Sequence, residues 1–208
     1  VGRPEKDLPK GIKFTHTAIA IYSSITLDNG QNVKGYAIHN LYQQTDKPER
    51  SHLVIDYPVD FFWGAQSMTA GIIIPSTELQ NRIIEIISSG ENQGLHNENY
   101  SVIANPFNNE FQNCTEYTLD IVNAAIYQST NPQQLKLNAK SHFKPQKIYT
   151  NPFKLALGSM FMDDVTTRDH KGQVYTTTFS TIAKYLTENE LATQAVTFNS
   201  KGEVAPLI

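Results

Sequence analysis

The stretch Asn113–Tyr127, NCTEYTLDIVNAAIY, holds the sole cysteine among 208 residues and the clearest pattern in the chain. Cys114, Tyr117, Thr118, Ile121, Val122 and Ala125 recur at the spacing of one helix face. Asn113 is a good N-cap, and Glu116 lies three residues on, where a capping-box partner belongs. Cys114 then falls at the first helical position on the inward face. The unpaired N–H groups and macrodipole of a helix N-terminus favour an anion, and such a setting lowers a thiol pKa from its ordinary value near 8.5. A lone cysteine on an apolar face is also a common small core residue, so its reading depends on what the fold brings beside it.

Working outward, the candidates lie upstream. FTHTAIAIYSSITL (14–27) is β-branched and aromatic and reads as a strand, Asp28-Asn29-Gly30 as a hairpin turn, and QNVKGYAIHNLYQ (31–43) as the antiparallel partner. Period two places His16, Ala18 and Ala20 on one face, and Gly35, Ala37, His39 and Leu41 on one face of the second strand. Each strand thus carries one histidine among small or apolar neighbours. An imidazole can take the thiol proton, and a third polar group usually orients that base. The arrangement expected is Cys114 as nucleophile, His16 as general base and His39 as orienter. Asn40 is the alternative third member, although a regular strand turns it to the other face. The backbone N–H of Cys114 with Gln112 or Tyr100 from the preceding loop could form an oxyanion site, with Asn113 beside them.

The remaining chain frames this site. Residues 1–12 read as a lead-in segment. VIDYPVDFFWGA (54–65) reads as a short helix or irregular wall, MTAGIIIP (68–75) as a strand, and STELQNRIIEIISSG (76–90) as a helix with Thr77 and Gln80 as a capping box and Gly90 as its stop. Residues 91–112 form a long polar connection leading directly to Cys114, with one helical turn near Tyr100–Ala104; such loops are commonly functional. Residues 135–160 read as two helical pieces, 161–178 as a loop or strand pair turning at Lys171–Gly172, 178–190 as an amphipathic helix, and 191–208 as a weakly patterned tail. One domain over 1–208 is expected.

Composition excludes several classes. Net charge is −3 with scattered basic residues, so no stripe favours nucleic acid. No apolar run reaches the ~20 residues of a membrane span. One cysteine forbids an internal disulfide and a cysteine-based zinc cluster. Asp163, Asp164, Asp169 and His170 could meet a divalent cation, but their spacing fits no metal motif and a solvated loop is the plainer reading. No metal or other cofactor is expected. There is no phosphate-binding glycine loop, no G-x-S-x-G and no H-E-x-x-H.

KFTHTAIAIY, AIHNL, LHNENYSVIANPFNNEFQN, YTLDIV and LALGSMFMDD, in that order, resemble the bacterial family called domain of unknown function 2145, over roughly residues 12–188. That family's pattern also admits serine at the position of Cys114. The order His16, His39, Cys114 further resembles the circularly permuted branch of the papain-like, NlpC-type cell-wall hydrolases. In that branch a histidine strand and a polar residue on the next strand precede the cysteine helix. The resemblance implies an α+β, permuted papain-like fold, an antiparallel sheet packed on helices. It also implies hydrolysis of a small peptide, amide or ester through a thioacyl intermediate, in an exported or periplasmic bacterial protein. The alternative it implies is a papain-like binding module of the envelope that performs no reaction.

Overall fold

The computed structural model describes residues 1–4, 12–27, 29–149 and 165–208. Its described elements are β1 (Gly2–Arg3), β2 (His16–Thr17), β3 (Ile19–Thr26), β4 (Asn32–Gln43), β5 (Ser51–Asp56), α1 (Pro58–Trp63), β6 (Thr69–Pro75), α2 (Thr77–Ser88), a 3-10 turn (Glu91–Leu95), α3 (Cys114–Tyr127), α4 (Pro132–His142), β7 (Gln146–Ile148), β8 (Val174–Thr176), α5 (Phe179–Glu188), β9 (Ala192–Asn199) and β10 (Val204–Pro206). The fold is α+β, with a five-stranded sheet in the order β10-β9-β6-β1-β2, a three-stranded sheet β3-β4-β5 and a two-stranded sheet β7-β8. All their pairings are antiparallel.

α3 is the axis of the molecule. It packs against α2, α4, β2, β4 and the 3-10 turn. The single apolar stripe expected of it is only part of the finding, because every residue from Cys114 to Ala125 is buried, including Glu116, Asp120 and Asn123. Local chemistry sets the helix starts. Asn113 Oδ1 accepts from the Glu116 N–H at 2.9 Å, Asn131 caps α4 with Pro132 next, and Thr178 with Thr181 forms a capping box on α5. α2 is capped by Ser76, one residue before the expected Thr77, and Gly90 at φ +82° ends that segment as expected.

The strand read as 14–27 is two strands belonging to two sheets. His16–Thr17 pairs with β1, and the chain resumes at Ile19 in register with β4, Ile19 facing His39. Two of the lead-in segment's described residues, Gly2 and Arg3, are thus a buried strand, with Gly2 also paired to Gly71 of β6. Glycine is required at both places. A Cβ on Gly71 would stand 2.4 Å from the Phe179 ring, and one on Gly2 2.8 Å from it. The tail carries β9, which pairs with β6 along its length, and β10 at the sheet edge. The expected second helical piece and the turn of 161–178 resolve differently: β7 pairs with β8 across the intervening segment. Residues 150–164 lie outside the described residues.

Candidate active site around Cys114

Cys114 stands at the first position of α3, where the chain turns in from the 91–112 connection. Its Sγ lies 3.9 Å from the Thr15 carbonyl oxygen, on the residue immediately before His16. Cys114 is 6 % exposed and lines a cavity of about 50 Å³ with Phe14, Thr15, Tyr100 and Val102 among others. α3 therefore delivers the sulfur to the carbonyl of the residue before His16.

The partner of His16 is where the structure departs from that reading. His16 is buried, and its Nε2 meets Asn40 Oδ1 at 3.1 Å. The ring stacks on Tyr42, with centroids 4.8 Å apart and planes 4° apart, and stands 5.6 Å from Phe61. Asn40 is held in turn: its Nδ2 donates to the Ile38 carbonyl at 3.2 Å and to Asp56 Oδ2 at 3.0 Å. Tyr42 donates its hydroxyl to the same carboxylate oxygen at 2.6 Å. β4 is regular here, so His39 points to the opposite face from Asn40. His39 is half-buried, and burial holds its pKa below the ordinary value. His16 thus meets Asn40, the alternative partner, and His39, expected beside it, faces away. The physical reason is the break at Ala18: the alternation counted from His16 does not carry into β3, because His16 belongs to the other sheet.

Of the three expected oxyanion and substrate contacts, Tyr100 and Asn113 line the cavity with Cys114 and Gln112 does not. Gln112 turns away: its Nε2 donates to the Leu95 carbonyl at 3.0 Å and to Asp120 Oδ2 at 2.9 Å, and its Oε1 accepts from the Asn97 N–H at 2.9 Å. Both ends of the Asn113 amide are engaged. Oδ1 caps α3, and Nδ2 donates to the Val102 carbonyl at 2.8 Å and to Thr176 Oγ1 at 3.3 Å. It clamps the connection to the helix start.

On the opposite side of α3, Lys136 Nζ sits between Asp120, at 2.9 and 2.8 Å, and Glu116, at 2.5 Å, beside a cavity of about 400 Å³ that Gln112 also lines. All three side chains are buried. One ammonium cannot offset two buried carboxylates, so burial pushes the Glu116 carboxyl up to about 8 against the pull of Lys136. Burial alone would lower Lys136, but Asp120 and Glu116 hold it above its ordinary value. At neutral pH the cluster is an ion pair of Lys136 with Asp120 plus a protonated Glu116. The folded state therefore binds the Glu116 proton more tightly than the unfolded chain. Its contribution to stability is complete below the unfolded value of 4.5 and is lost as pH rises through about 8. Across that window wild type should lose up to about 1.4 kcal/mol per pH unit relative to Glu116→Gln. Urea midpoints of the two proteins at several pH values check this, and parallel profiles would contradict it.

The cluster of Asp163, Asp164, Asp169 and His170 divides. Asp163 and Asp164 lie outside the described residues. Asp169 Oδ2 accepts from the Asn105 N–H at 2.8 Å, and His170 Nε2 meets the Ile103 carbonyl at 2.9 Å, so both tie the 165–170 loop to the connection before Cys114. Among the described residues no group of three or more His, Cys, Asp or Glu is placed to hold a metal ion, and no helix is long and apolar enough to cross a membrane.

Sequence reasoning missed Asp56 and Tyr42. The one available signal was that period two sets Tyr42 on the same face of its strand as Asn40. Lys136, beyond a loop, gave no signal that it would be buried.

An α+β protein with antiparallel sheets around a buried helix, whose N-terminal cysteine meets the carbonyl of Thr15 one residue before a buried histidine, is the class that fold and site define. The chain belongs to the family of uncharacterized proteins conserved in bacteria, DUF2145, which matches residues 1–186. No curated protein and no solved structure matches it.

Proposed function

We propose that the chain is a cysteine hydrolase of permuted papain-like fold, with Cys114 as nucleophile, His16 as base and Asn40 as orienter. The observation that carries the reading is the His16 Nε2–Asn40 Oδ1 contact of 3.1 Å, set one residue from the carbonyl that the Cys114 sulfur touches. With Nε2 turned to Asn40, Nδ1 is the ring nitrogen that exchanges a proton with the thiol. The thiolate attacks the carbonyl carbon of an amide or ester. The carbonyl π electrons move to oxygen, which the Cys114 N–H and Tyr100 would stabilise. His16 then gives its proton to the leaving nitrogen or oxygen as that bond breaks, leaving a thioacyl enzyme. Water, losing a proton to His16, attacks the thioester and expels the thiolate. A peptide, amide or ester of the bacterial envelope is the proposed substrate, and an exported location the proposed compartment.

The low exposure of Cys114 and the small cavity beside it favour a second reading, a binding module of the same fold that turns nothing over. Incubation with activated esters of small acids, followed by intact mass, separates the two. A transient acyl adduct on wild type that is absent from Cys114→Ala supports the hydrolase, and no adduct with any ester supports the module.

The assignment of the third member has its own test. Losing a hydrogen bond that supports a charged ring removes about 1.5–3 kcal/mol. Asn40→Ala should therefore raise the midpoint of the Cys114 alkylation profile by about 1–2 pH units, while His39→Ala moves it by less than about 0.3 unit. Equal effects of the two substitutions would overturn the assignment of Asn40.

A further inference from the structure

The geometry points to Asp56 as a positioning residue that fixes, through the Asn40 amide, which nitrogen of His16 carries the proton; this rests on the hydrolase reading for its catalytic meaning. An asparagine amide presents a donor end and an acceptor end, and on its own it can face a histidine with either. Here the donor end has two acceptors on one side, the Ile38 carbonyl and the Asp56 carboxylate. Both can only accept, since neither a backbone carbonyl nor a carboxylate has a proton to give, and the carboxylate is the nearer, at 3.0 against 3.2 Å. Nδ2 is thereby turned to the side of Ile38 and Asp56, with Asp56 its closer acceptor, and Oδ1 is left toward His16. An acceptor facing Nε2 requires Nε2–H, so in the neutral ring Nδ1 holds the lone pair. A base for Cys114 needs that tautomer.

Two further contacts hold the arrangement rigid. Tyr42 donates to the same Asp56 oxygen and stacks its ring flat on His16. One carboxylate therefore sets both the amide and the aromatic wall against which the imidazole rests. Asp56 sits in register with Ile38 across β4 and β5, so the strand pairing places it two residues from Asn40 without any loop. Charged and titratable groups around this face include Arg3 of β1, His16 of β2, Tyr42 of β4, Asp56 of β5 and the amino group of Val1, which donates to the Ala18 carbonyl at 2.8 Å. Arg3 lies over the Tyr42 and Phe61 rings, 5.7 and 4.9 Å from their centroids, and donates to the Phe61 carbonyl.

A purely structural Asp56 would only tie β5 to β4. The two roles separate in the tautomer. In a Cys114→Ser background at pH 8, where the ring is neutral, ¹⁵N shifts of the His16 imidazole should report Nε2–H for Asp56 intact. Asp56→Ala should give a mixture of tautomers, and Asp56→Asn, which still offers Asn40 an acceptor, should restore Nε2–H. With Cys114 present, Asp56→Ala should raise the midpoint of the alkylation profile by about 0.4–1 pH unit, the scale of one hydrogen bond, and Asp56→Asn should recover it. Should Asp56→Ala fail to fold, Asp56→Ser, too short to reach Asn40, takes its place. An unchanged tautomer in Asp56→Ala or Asp56→Ser overturns the inference. If instead the tautomer moves but His16→Ala leaves alkylation untouched, the positioning role stands and the hydrolase reading falls.

Discussion

Replacing His16 with alanine is expected to invert the pH dependence of Cys114 alkylation rather than merely reduce it. A thiolate paired with an imidazolium titrates near 4, and a lone thiol near 8.5. At pH 5 the lone thiol is ionised to only about 0.03 %, whereas the paired one is about 90 % thiolate. Nucleophilicity works the other way, because it falls by about 0.4 log unit for each unit of lowered pKa, so a fully ionised lone thiol reacts about 60-fold faster. The product of the two effects makes the His16→Ala protein about 50-fold slower with iodoacetamide at pH 5. The profiles cross between about pH 6 and 7, and at pH 9 the variant is about 50-fold faster. With one cysteine in the chain, every alkylation event reports on Cys114. Profiles that run parallel at all pH values would mean that His16 does not hold the thiolate.

The second large effect concerns stability. Lys136→Met should destabilise the fold by about 3–5 kcal/mol, because it leaves Glu116 and Asp120 buried without their cation. Glu116 already carries a proton at neutral pH, and Asp120 loses the cation it pairs with, keeping among the described residues the side-chain hydrogen bond from Gln112. Adding Asp120→Asn to Lys136→Met should recover most of the loss, since two neutral amides and a thioether can fill the site without a buried charge. Urea denaturation at pH 7 measures both. A loss under about 1 kcal/mol in the single variant would show that the cluster is hydrated and does not join α3 to α4 as a buried ion pair.

Much of this architecture was legible where local chemistry decides it. The Asn113 cap, the β3–β4 hairpin and the apolar face of α3 each depend on residues within a few positions of one another. They stand in the structure as the sequence implied. What escaped depends on distant pairing. Ala192–Asn199 lacks a clean alternation because its burial comes from β6, more than 100 residues earlier, and from α5. The break at Ala18 is invisible in FTHTAIAIY, since both halves favour extended backbone and only the β1 partner draws His16 into the other sheet. That one break exchanges His39 for Asn40. Cys114 and His16 themselves needed no such knowledge, because a cap followed by cysteine and a histidine in a strand are both local patterns. Gln112 shows the converse failure: proximity in sequence to Cys114 suggested a role beside it, yet the turn into α3 sends its amide toward Asp120 on the far side.

On the proposed reading, the N-terminus of α3 and the His16–Asn40 pair keep Cys114 ionised. The most direct measurement is the ultraviolet thiolate absorbance titrated against pH, taken as the difference between wild type and Cys114→Ser so that tyrosine ionisation cancels. A thiolate held by the imidazolium should give a midpoint below about pH 6, moving up toward about 8.5 in His16→Ala. A wild-type midpoint at or above about 8.5 would contradict it, and Cys114 would then be a core residue that happens to begin a helix.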